Sequence, residues 1–213
     1  MIMVEDAGEK RAPEDGEPPE AEAPSRRGGR KAAGGPAPEN GADPWLPRLE
    51  RAEGLAAEGS HPEASEAFAA VAAAQPENLR AALGLGSALF AQGKYDAAEK
   101  ELRRALKLAP DSPEVSYQLG HTLFKKGVYA AAAAQLRHAV ELDPEHGAAH
   151  LALGEALNQM ADSDGALQVL EEAIRIVPEN GRAYYAMGIA YDRKGNPDRA
   201  AEMYRLSREV ARG

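Results

Sequence analysis

The chain has no cysteine, one tryptophan and three phenylalanines among its 213 residues. Without cysteine it has no disulfides, thiolate metal sites or cysteine nucleophiles. Aromatic residues make up only 5%, so a ring-filled core is excluded, and alanine dominates the 44% of hydrophobic residues. Small side chains bury little area each but let helices approach closely, which suits a thin core made of many contacts. No apolar run approaches the roughly 18 residues of a membrane span. The first residues, MIMVEDAGEK, turn acidic at once and hold no apolar stretch of signal-peptide length. Arg26 and Arg27 are followed by GGRKAAGGPAPENG, not by the hydrophobic segment a twin-arginine signal needs. The expectation is a soluble, cytoplasmic chain without membrane insertion. The formal net charge is −9, which repels phosphates, so nucleic acid is not an expected partner. The arginine- and alanine-rich usage is that of a GC-rich bacterial gene.

Residues 1–44 are rich in Glu, Pro, Gly and Ala and hold no aromatic residue. Such a stretch buries too little apolar surface to offset ordering costs of about 1–2 kcal/mol per residue. It is expected to be a disordered tail, acidic over 5–22 and basic over RRGGRK (26–31). A solvated linker is the simplest reading of it. A short recognition segment, meeting an acidic partner or nucleic acid through the basic cluster, is the alternative.

From Trp45 onward apolar residues recur at helical spacing between short turns. ENLRAALGLGSALFAQGKYDAAEKELRRALKLAP (77–110) aligns without a gap on DSPEVSYQLGHTLFKKGVYAAAAAQLRHAVELDP (111–144) and on EHGAAHLALGEALNQMADSDGALQVLEEAIRIVP (145–178). Residues 179–212 continue the 34-residue register, and 43–76 form a poorer copy. Leu85, Leu119, Leu153 and Met187 share one column, each followed by glycine (86, 120, 154 and 188). A helical glycine costs roughly 1 kcal/mol against alanine, so four at one register point to close approach of a neighbouring helix. Gly93, Gly127 and Gly195 end first helices. Ala98, Ala132, Ala166 and Ala200 supply the small contact of second helices, with Leu102, Leu136, Leu170 and Tyr204 four residues on. Pro76, Pro110, Pro144 and Pro178 close the units, where a helix interior would not tolerate them.

These columns match the pattern W-x2-L-G-x2-Y, then A-x3-F, then P, at period 34. Residues 45–213 therefore resemble the tetratricopeptide-repeat family. The resemblance implies an all-α, right-handed solenoid of stacked helix-turn-helix units: a degenerate repeat at 45–78, then repeats at 79–112, 113–146, 147–180 and 181–213. The first copy departs from the pattern, with Arg51 and Ala52 where Leu-Gly is expected, and reads as a polar cap unit. The third full copy has ADSDG in place of the turn glycine. The last copy has Ser207 and Arg208 facing water, so no separate capping helix is expected.

In this family the first helices line the concave side, and the second, fifth, ninth, twelfth and thirteenth places of each unit face the groove. Counted from 79, 113, 147 and 181, the fifth places hold Leu83, Tyr117, Leu151 and Tyr185. The ninth hold Ser87, His121, Glu155 and Ile189, and the twelfth hold Phe90, Phe124, Asn158 and Asp192. Arg80, Glu114 and Arg182 stand at second places and Lys125, Gln159 and Arg193 at thirteenth. The resemblance implies an apolar, aromatic stripe in the N-terminal half of a peptide-binding groove, with polar groups beyond it. The paired Lys and Asn with which some members grip a C-terminal carboxylate are missing. Core packing competes with the groove reading for Leu83 and Leu151 especially.

His146 and His150 stand four apart but lack a third ligand, so no metal site is expected. DSDG (162–165) with Glu171 would place Met160 at the first position of a calcium loop, where it cannot ligate; a helix cap explains it better. No nucleophile elbow, phosphate loop or dinucleotide fingerprint is present. The chain is therefore expected to be no enzyme and to need no cofactor. It reads as a scaffold or adaptor that binds a peptide or helix of another protein, of unknown oligomeric state. The alternatives are the binding portion of a larger enzyme or signalling assembly, or nucleic-acid association through the tail.

Overall fold

The computed structural model describes residues 43–212; the N-terminal tail expected over 1–44 lies almost wholly outside them. The described residues form ten α-helices. They run α1 (Leu46–Ala57), α2 (His61–Ala74), α3 (Leu79–Ala91), α4 (Tyr95–Leu108), α5 (Pro113–Lys125), α6 (Tyr129–Leu142), α7 (Gly147–Gln159), α8 (Ser163–Ile176), α9 (Gly181–Arg193) and α10 (Pro197–Val210). Each helix packs on the next. The odd-numbered helices also touch one another in sequence, whereas the even-numbered ones do not. A stack that is tighter along one layer than along the other must curve toward the tight layer. The odd helices therefore form the inner, concave wall of a right-handed α-solenoid.

Local chemistry sets the helix ends. Asn78 accepts from the Ala81 amide at 3.0 Å, Ser112 from Val115 at 3.4 Å and Asn180 from Ala183 at 3.2 Å. Each satisfies one of the orphan donors of a first turn. Asp162 does the same for α8, taking the Gly165 amide at 3.0 Å, so DSDG is a helix cap. Pro76, Pro110, Pro144 and Pro178 each stand two residues past an even helix.

The glycine column has a steric cause. A Cβ on Gly86, Gly120 or Gly154 would meet Leu102, Leu136 or Leu170 at 2.5–2.6 Å. Those three leucines are fully buried; each drops into the space its glycine leaves, and this joins the two helices of a unit. In the last unit Gly188 faces Tyr204 instead. Between paired helices the chain reverses through a left-handed residue: Gly59, Gly93, Gly127 and Gly195 lie at φ 70–79°. Ala161 occupies that place in the third full unit at φ 62°, where a Cβ crowds the following carbonyl at a cost of about 1–2 kcal/mol.

Candidate functional site

Four of the residues assigned to the groove by register meet in one place. Ser87 and Phe90 on α3 and Tyr117 and His121 on α5, joined by Gln118 and Thr122, line a cavity of about 180 Å³ in the concave wall. Helical spacing brings them there: Ser87 and Phe90 are three apart, Tyr117 and His121 four, so each pair shares a face. The Phe90 ring centroid lies 4.8 Å from that of His121, which lies 5.8 Å from Tyr117 in a stacked arrangement. Tyr95 flanks Phe90 at 5.5 Å, and His146 flanks Tyr117 at 4.7 Å. Five rings thus run in a row across the α3–α5 junction.

The polar groups of the cavity fall into two kinds. The Ser87 hydroxyl bonds to the Leu83 carbonyl at 3.0 Å and touches Gln118 Oε1. Thr122 donates to the Gln118 carbonyl at 2.8 Å. His121 differs: none of the hydrogen bonds between described residues involves its ring. Burial, followed by the charges of Lys125 and Arg182, holds its pKa below the usual histidine value. Tyr117 is pushed the other way, up, by burial and then by the carboxylate of Glu114.

The other assigned residues fall elsewhere. Leu83 is half-buried and packs with Ala82 and Val115 at the α3–α5 contact. Phe124 is half-buried, 5.6 Å from the Tyr129 ring, with the Lys125 ammonium 6.0 Å over its face. The expectation of open groove positions is corrected for Leu151 and Asn158. They are only 8% and 3% exposed, because α9 closes over α7 and the Asn158 amide donates across to the Ala186 carbonyl at 2.8 Å. Glu155 is held by Arg182 at 2.7 Å, the relation that Glu53 and Arg80 repeat at 2.8 Å near the other end. Tyr185 is 56% exposed and stands 5.4 Å from Tyr204. Ile189 is half-buried on α9, and the exposed Asp192 accepts from the Tyr204 hydroxyl at 2.7 Å. Burial, and then that bond, push the Tyr204 pKa up to about 12.

Register reasoning missed Gln118 and Thr122, at sixth and tenth places, and the flanking His146. The available signal was spacing: Gln118 lies four residues from both Glu114 and Thr122, on a face adjoining the groove. His146 serves as the N-cap of α7, its Nδ1 accepting from the Ala149 amide at 3.3 Å. His150 turns its Nε2 to the Pro144 carbonyl at 3.0 Å. The two histidines therefore serve α7 itself. Among the described residues no group of three acidic or histidine side chains is placed to hold a metal. No described helix is long and apolar enough to cross a membrane.

No curated protein sequence matches the chain. Among solved structures, a crystal structure of MamA superposes with a TM-score of 0.70 at 28% identity, over 76% of this chain and 94% of that one. MamA from Desulfovibrio magneticus RS-1, beginning at its residue 41, superposes with a TM-score of 0.74 at 24% identity over 80% and 97%. YrrB, described as a TPR protein with an unusual peptide-binding site, gives 0.68 at 23% over 78% and 85%. The last two likenesses show the fold alone. Family models described as TPR repeat (86–127) and tetratricopeptide repeat (117–180 and 159–212) match consecutive, overlapping parts of the chain and together span 86–212. The stacked helix pairs, the leucine-in-glycine contacts and these matches agree: the chain belongs to the tetratricopeptide-repeat family.

Proposed function

We propose that the protein is a non-catalytic scaffold that holds a segment of another protein, a peptide or a helix, in its concave wall. The observation that carries this reading is the cavity between α3 and α5, where the Phe90 and Tyr117 rings and His121 are held half-buried with no covering element among the described residues. Aromatic side chains bury much area at low entropy cost and recur as binding anchors. Packed helices fix the wall in advance, so the scaffold loses little freedom when a partner docks. YrrB, of the same fold, is described as having a peptide-binding site; that likeness supplies the fold, and the anchoring chemistry rests on the residues above. We place this activity in the cytoplasm.

The test is quantitative affinity capture with the wild-type protein and with a Phe90→Ala, Tyr117→Ala double variant. Selective loss of one or a few partners is expected, with the melting temperature changed by only a few degrees. Wholesale unfolding of the variant, or an unchanged set of captured proteins, would overturn the reading.

A further inference from the structure

The cavity between α3 and α5 carries information about the chemistry of what it takes. We propose that it is a subsite for a cationic side chain, a lysine or arginine of the partner segment, seated against Phe90, Tyr117 and His121 with the Glu114 carboxylate at its rim. This deepens the groove reading and rests on it.

The rings come first. Three aromatic groups border about 180 Å³ of open space, and an aromatic face attracts a cation within about 6 Å of its centroid. His121 would compete with such a ligand if it were charged. Its lowered pKa leaves it neutral near pH 7, and a neutral imidazole offers one ring nitrogen as an acceptor. The cavity thus has a polar group that suits an N–H donor and has no partner among the described residues. An aliphatic ligand would leave that nitrogen unpaired.

The surrounding charges are of both signs: Lys125 and Arg182 act on His121, Glu114 and Glu155 on Tyr117. Among the described residues Glu114, on the first turn of α5, receives a hydrogen bond only from the neutral Gln118 amide, at 2.5 Å. His146 lies 3.8 Å from it and compensates its charge only when protonated. Glu155, on α7, is the other carboxylate near Tyr117, and Arg182 on α9 is bonded to it. Arg80, at the start of α3, is bonded to Glu53. Lys125 is turned over the Phe124 ring. Among the described residues the two second-place guanidinium groups, Arg80 and Arg182, are therefore paired with carboxylates, Arg193 on the last turn of α9 is not, and the Glu114 carboxylate is left for a ligand. An anionic side chain seated at the cavity would meet Glu114, with the Arg182 guanidinium already bonded to Glu155.

A pH dependence of definite sign follows. Acidification protonates His121 and so adds positive charge to the cavity. A basic ligand is weakened and an acidic one strengthened.

Random dodecapeptides displayed on phage would be selected on the full chain and counter-screened on Tyr117→Leu. Binders would be remade as synthetic peptides. The Tyr117-dependent peptides should share a lysine or arginine whose replacement by methionine weakens binding about tenfold. Glu114→Gln should weaken them about threefold or more, and lowering the pH from about 7.5 to about 5.5 should weaken them further. Tyr117-dependent peptides anchored by an apolar or acidic residue, or an affinity that rises on acidification, would overturn the cationic subsite and leave groove binding intact. Absence of any Tyr117-dependent peptide would overturn both. If Tyr117→Leu fails to fold, by its circular-dichroism melt, the counter-screen passes to the exposed Glu114→Gln, and the methionine-substituted peptides still decide.

Discussion

Phe90, Tyr117 and His121 on α3 and α5 border an open cavity, whereas Leu151 and Asn158 at the matching places of α7 are closed in by α9. Both halves of the concave wall are cut from the same 34-residue pattern. They differ in what fills each junction. At α3–α5, rings of unequal size stand tilted or stacked against one another beside an open cavity. At α7–α9, a leucine and a small amide fit under the neighbouring helix, and the amide reaches that helix's backbone. The same register therefore yields an open cavity in one half and packing in the other. Large, rigid side chains hold a junction ajar, and compact ones let it shut.

Truncation at the fifth place should separate the two halves most strongly. Leu151→Ala is expected to cost about 2–5 kcal/mol, as for other buried leucines. Tyr117→Ala, at a half-buried place, should cost nearer 1 kcal/mol while abolishing partner capture. Urea denaturation of the two variants measures the contrast, and equal costs would erase it. Asn158→Ala removes the α7–α9 hydrogen bond and should cost about 1–3 kcal/mol without loss of capture.

The turns between paired helices give a second, smaller comparison. Gly127 lies at φ 79° with nothing within 4 Å of a Cβ, so Gly127→Ala is charged with backbone strain alone, about 1 kcal/mol. Ala161 already bears that strain at φ 62°. Ala161→Gly should raise stability by roughly 0.5–1 kcal/mol, since part of the relief is offset by the freedom glycine has when unfolded. A falling melting temperature for Ala161→Gly would refute the strain.

The smallest expected effect is on pH. The folded-state pKa of His121 lies below its ordinary value. Its contribution to stability is therefore fully present above the unfolded value near 6.5 and is lost as the pH falls through the depressed folded value. His121→Phe should flatten the urea midpoint between about pH 7 and pH 5; an unchanged acid slope would show that the imidazole is not shielded.

Much of this was readable beforehand at the level of single helices. Asp162 announces a helix start because a short polar side chain caps a first turn wherever the turn occurs; Asn78, Ser112 and Asn180 do the same in the structure. The glycine and leucine columns announce a helix pair because the two contact partners lie sixteen residues apart in every copy, as Gly86 and Leu102 do. The groove was less legible. Ser87, Phe90, Tyr117 and His121 were assigned to it and meet there, while Leu151 and Asn158 were assigned to it and are buried. Gln118 and Thr122 were passed over because neighbouring places on a helix differ by rotation alone, and only the position of α3 shows which of them border the cavity.

The amino-acid sequence by itself determined the all-α class, the helix pairs and their 34-residue spacing, while the layer that faces the groove came from the resemblance to the family. The class, the pairs and the spacing follow from contacts within one helix or between two adjoining ones, where backbone geometry leaves little choice. Which groove places are open, which arginines are already engaged and whether His121 carries a charge were decided by the tertiary structure. Those properties depend on residues such as Ser87 and Gln118, or Asn158 and Ala186, that lie about 30 positions apart and meet only when one unit stacks on the next.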